Sequence, residues 1–159
     1  MIKSKQHGAL LVEVLIGSAI VASVLVLLAG SLVRFNLLAV DNLRRTQAAF
    51  LATEGLEAVR SLRDTSWTEA VATLNPGKEY YLVWVSDHWA LDVTPTLIDN
   101  RFDRTVSVAA VSRDANYDIA ATGTLDPDLW LVTAAVSWPT GRGTTTKQLS
   151  AYLTNLFDN

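Results

Sequence analysis

Between Gly8 and Arg34 the sequence reads GALLVEVLIGSAIVASVLVLLAGSLVR, an apolar run interrupted by one carboxylate, Glu13. At about 1.5 Å of helix rise per residue, roughly 25 residues cross a hydrocarbon core of about 30 Å with some tilt. A membrane-bound state is therefore the first expectation. A carboxylate within such a span costs about 2.5 to 3.5 kcal/mol at the helix centre and less near an end, so Glu13 calls for a partner or a role.

The remainder of the 159-residue chain, roughly 125 residues, suffices for one soluble domain with a modest core. The formal net charge is -3, which supplies no basic field for nucleic acid. With no cysteine, neither disulfides nor thiolate metal sites can form. The two histidines, His7 and His88, are far apart and have no partner at helical spacing, which removes the usual zinc and histidine-based nucleophile arrangements.

Residues 1–8 are short, polar and basic through Lys3 and Lys5, and they abut the apolar run directly. A secretory signal has a shorter apolar region followed by a small-residue cleavage site, so any cut here belongs before the run. The leader's positive charge favours an N-in, C-out topology, although Arg34, Arg44 and Arg45 dilute the bias.

The stretch Gly8-Ala9-Leu10-Leu11-Val12-Glu13-Val14-Leu15-Ile16 resembles the prepilin signature of type IV pilins and type II secretion pseudopilins. In that family a basic leader ends in glycine, and the apolar helix behind it carries Glu as its fifth residue. The resemblance implies that a prepilin peptidase cuts after Gly8 and methylates Ala9, and that Glu13 serves assembly. The chain departs from the commoner pattern in having Ala9 and Leu10 where Phe or Met and then Thr are usual, and Gly30 near the place of a helix-kinking proline. Elementary electrostatics points the same way. An amine at Ala9 and the carboxylate of Glu13 lie four residues, about 6 Å, apart along a helix. Neighbours staggered by that rise can neutralise each other's charges. The plainer alternative is that Glu13 snorkels at the interface of an uncleaved signal anchor.

Helical periodicity continues past Arg34 through Leu37, Val40, Leu43, Ala48, Leu51, Gly55, Ala58, Val59 and Leu62, with Arg44, Arg45, Glu54, Glu57, Arg60 and Arg63 forming a polar face. One helix over about 9–64 is expected, its 9–33 part in the membrane. Glu57 with Arg60, and Arg60 with Asp64, are spaced to pair. The phrase from Phe50 to Asp64 also resembles the end of the long helix in PilV-type minor pilins.

Beyond Asp64 the pattern changes. Strands are expected over Tyr80–Val85, Trp89–Thr94, Thr105–Ser112, Trp130–Trp138 and Thr145–Leu153, with turns at Asn75-Pro76-Gly77, Asp87-His88 and Pro139 to Gly143. The expected fold class is α+β: a long N-terminal helix, half membrane and half amphipathic, packed on a C-terminal antiparallel sheet in the head at 65–159. That layout is the pilin-like one the resemblance implies. In the loop from Asp114 to Asp128, Asp114, Asn116 and Asp118 have the opening of a calcium loop, without its glycine or closing glutamate; turn capping is the competing reading. Asp126-Pro127-Asp128 reads as turn chemistry. Tyr80, Tyr81, Trp84, Trp89 and Trp130 are expected mostly in the core, with any exposed member available to a partner. No catalytic constellation stands out, so no enzyme and no cofactor are expected.

The resemblance implies a minor pilin, processed after Gly8, held in the inner membrane, then moved into a cell-surface filament. Its partners would be other pilin subunits, the prepilin peptidase, the inner-membrane assembly platform and lipid. The alternatives are a pseudopilin of a type II secretion or competence system and an uncleaved single-span protein with a ligand-binding head.

Overall fold

The computed structural model of the chain describes residues 4–141 and 143–156. One helix, α1 (Ser4–Thr65), occupies the N-terminal part. It begins five residues before Ala9, so Gly8 and Ala9 both lie within helical turns. The chain divides into two compact units inside this helix, Met1–Arg44 and Arg45–Asn159.

In the first unit the helix is long and apolar enough to cross a membrane, with none of its most apolar window buried. Every Leu, Val, Ile and Phe from Leu10 to Leu38 is exposed. Such a surface is stable in lipid only if its polar atoms are satisfied internally. The serines meet that condition by bonding back along the helix: the hydroxyls of Ser18, Ser23 and Ser31 donate to the carbonyls of Leu15, Ala19 and Leu27 at 2.8 to 2.9 Å.

The second unit joins residues 45–65 of α1 to an antiparallel sheet. Seven strands form this sheet among the described residues: β1 (Glu79–Val85), β2 (His88–Asp92), β3 (Leu97–Ile98), β4 (Phe102–Arg113), β5 (Ile119–Ala120), β6 (Thr124–Thr140) and β7 (Gly143–Thr154). The order is β2-β1-β4-β6-β7, with the two-residue strands β3 and β5 both paired to β4. The expected strands are all present, β6 being longer than its periodicity indicated and β3 and β5 too short to show any.

Alternation sets the two faces. Val106, Val108, Val132, Ala134, Val136 and Trp138 are buried, and the register pairs Val106 with Ala134 and Val108 with Val132 on one face. On the other, hydroxyls of Thr133 and Ser150, and of Ser137 and Thr146, bond across β6 and β7 at 2.8 Å. The helix meets the apolar face through Ala48, Ala52, Gly55 and Val59, all buried. These small residues recur every three or four positions, one stripe of an α-helix. A Cβ added to Gly55 would lie 3.1 Å from that of Ala134, so the glycine sets how closely helix and strand approach. Tyr80, Leu82, Phe102, Leu153 and the post-helical Trp67, Val71 and Leu74 complete the core.

The connections differ in part from expectation. Ser86 and Asp87, both at positive φ, turn β1 into β2, and His88 already pairs with Val85. Asp126-Pro127-Asp128 is a bulge inside β6 rather than a turn between elements. Ala110 pairs with Trp130 while the next residue, Val111, pairs with Asp126, so Pro127 falls where no ladder hydrogen bond is required of it. Asp64 pairs with Arg63 at 2.6 Å instead of Arg60, whose partner is Glu57.

Candidate functional site

Gly8, Ala9, Val12, Glu13 and Ile16 line one shallow, open groove on α1. Their spacing follows from helical geometry, positions four apart lying one above the other. Of the polar side chains between Ala9 and Val33, which are Glu13, Ser18, Ser23 and Ser31, the serines are bonded within the helix. Glu13 is exposed and has no hydrogen-bond or ion-pair partner among the described residues. The arrangement is an exposed carboxylate on an apolar helix surface, one turn beyond Ala9, with no cation beside it among the described residues. Among the described residues nothing lies within 4 Å of the position a Cβ would take on Gly8, so their packing does not require glycine there.

The head loop holding Asp114, Asn116 and Asp118 uses its first carboxylate on its own backbone. Oδ1 of Asp114 accepts from the amides of Asn116 at 2.8 Å and Asp118 at 3.0 Å, and the Asp114 amide donates to the Asp118 carbonyl. That is the capped-turn arrangement. Among the described residues no three of His, Cys, Asp and Glu are grouped so as to hold a metal ion. Arg113 braces the loop from below, donating from Nε to Asp126 at 2.6 Å and from Nη1 to the Tyr117 carbonyl at 2.8 Å. The bond from Arg113 holds the Asp126 carboxyl below the usual range, against the opposing effect of desolvation.

The aromatic residues divide. Tyr80 is buried and its hydroxyl accepts from the Asn75 amide at 2.9 Å; Trp89 and Trp130 pack against the core. Trp84 stays exposed, in edge contact with Trp89 at 5.1 Å between ring centres. Tyr81 is half-buried, and burial, then the charges of Asp103 and Glu79, push its phenol up.

One polar feature had no sequence signal. Arg104, 5% exposed on β4, reaches Glu54 of the helix at 2.5 Å and lies over the Trp89 ring. The two residues are fifty positions apart, and only the register of β4 under the helix brings them together.

Comparison with protein-family models, curated proteins and solved structures found no match for the chain. What is established is an α+β chain with one N-terminal helix able to cross a membrane and a C-terminal antiparallel sheet.

Proposed function

We propose that the chain is a type IV pilin-like subunit, a minor pilin, cut after Gly8 and assembled through α1. The observation that carries this reading is Glu13, the polar side chain of the 9–33 span left without a partner among the described residues, one turn from the bond whose cleavage creates an amine. An isolated carboxylate in lipid is costly, whereas one facing an ammonium group in a dry interface forms a paired site. Within a chain the two are offset by about 6 Å of rise, so a neighbour displaced by that amount brings them level. Lipid then stores the helix until the neighbour's amine arrives.

Cleavage is compatible with the helix starting at Ser4. The first amides of a helix have no intrahelical acceptor and its first turn opens cheaply, more so at a glycine. The peptidase can therefore take residues around Gly8 in extended form.

Two variants separate the steps. Gly8→Val abolishes removal of the leader while leaving the head's thermal unfolding unchanged, because no described atom of the head lies near that position. Glu13→Ala is processed normally but fails to enter filaments, measured by its amount in sheared surface fractions. Normal incorporation of Glu13→Ala would show that charge pairing is not what assembles the helix.

A further inference from the structure

The two ends of β6 carry features that the processing reading leaves unused. Where β6 meets β7, an open cleft of about 330 Å³ lies between the 45–50 stretch of α1 and the start of β7. Phe50 forms one wall and is 71% exposed, an unusual place for a phenylalanine in contact with water. Lys147 stands on the helix-facing side, since it pairs with buried Val136, and it has no carboxylate partner among the described residues. Trp138 contributes to the lining, is 2% exposed, and its indole N–H has no acceptor among the described residues.

At the far end of β6, the Asp114 to Asp118 loop presents the opposite chemistry. Tyr117 is 80% exposed at φ +66°, a conformation uncommon outside glycine. The loop is nevertheless fixed: Arg113 holds the Tyr117 carbonyl, and Asp114 holds the loop amides on either side. The exposed carboxylate of Asp118 follows the ring in sequence. An aromatic side chain on a braced backbone loses little freedom when it docks.

Cleft and loop cannot meet within one head, because β6 separates them by roughly 40 Å at about 3.3 Å per residue. From this placement we infer that the Tyr117-Asp118 loop of one copy docks in the Phe50-Lys147 cleft of a second copy. The ring fills the apolar part and Asp118 faces Lys147. Different surfaces meet on the two copies, so the contact is head-to-tail and repeats into an open chain. One loop buries less than the roughly 1,200 Å² of a stable complex, so the contact acts where copies are staggered along a filament at high effective concentration.

The absence of native cysteine allows a direct test on the full chain at high concentration in detergent, where copies are free to shift along one another, and without any peptidase, so that its outcome is independent of the processing reading. The expected result for Asn116→Cys/Thr145→Cys is a ladder of disulfide-linked multimers on mild oxidation. Adding Tyr117→Ser or Lys147→Glu lowers its yield roughly tenfold, as loss of an anchor worth at least about 1.4 kcal/mol requires. Mixing Lys147→Glu chains with Asp118→Lys chains restores the contact. A second pair, Ala115→Cys with Ala49→Cys on the helix wall of the cleft, guards against local misfolding of the first. No ladder from either pair, equal cross-linking from the single-cysteine chains, or a ladder indifferent to Tyr117→Ser and Lys147→Glu overturns the proposal.

Discussion

Arg104 sits almost wholly out of water on β4, and the carboxylate that balances it comes from the helix. Glu54 is half-exposed, so its pull on Arg104 is partly screened by water, and Glu54→Ala should destabilise the head by about 1 to 2 kcal/mol. Glu54→Ala/Arg104→Met should recover much of that loss, because an apolar side chain does not need the partner; thermal unfolding of the full chain in detergent reads both. Gly123 is constrained by space: a Cβ there would lie 2.1 Å from the Arg113 carbonyl oxygen, at a φ of +156°. Gly123→Ala must displace backbone, and its melting temperature should fall where Gly8→Ala leaves it unchanged. Asp126 gives the head a dependence on acid. Its carboxyl is held low in the fold by Arg113, so its contribution is complete above the ordinary aspartate value of about 3.9 and is lost as pH falls through the lowered folded value. Titrated downward from pH 6, the wild-type melting temperature should fall more steeply than that of Asp126→Asn below about pH 4.

Helix and sheet in the head meet through small residues, and this makes the seam sensitive to volume. Ala52 is fully buried and Gly55 nearly touches Ala134, so Ala52→Leu should cost about 1 to 3 kcal/mol by overpacking, again read by thermal unfolding. Much of this element was legible in the sequence. Ala48, Gly55, Ala58 and Val59 fall on the expected stripe, and the strands of the sheet announce themselves through Val, Thr, Trp and Tyr. The rest depended on register. Glu54 reads as one more solvated charge until β4 brings Arg104 beneath it, and Ala52 is too small to mark a face. Pro127 and its flanking aspartates have turn composition, yet the ladder absorbs them as a bulge, because pairing on both sides of the bulge outweighs the local preference. At the N-terminus the residues of the candidate site were all readable, being local in sequence. The structure adds that Glu13 lacks a partner among the described residues while the serines of the same span have theirs.

At the scale of the whole molecule, the chain pairs a helix that lipid can hold with a head bearing its own core, and the two units divide inside one continuous element at Arg44. Polymerisation through the helix would leave the head free to vary, which places the chemistry of the account at Gly8, Ala9 and Glu13. The head then contributes through contacts such as the proposed Tyr117 docking. The central claim is that the N-terminus is processed, and intact-mass and N-terminal peptide spectrometry after co-expression with a prepilin peptidase tests it most directly. The expected product is a chain lacking residues 1–8 and beginning with a methylated Ala9. A chain that keeps its leader under those conditions, with the peptidase shown active on another prepilin, would contradict it.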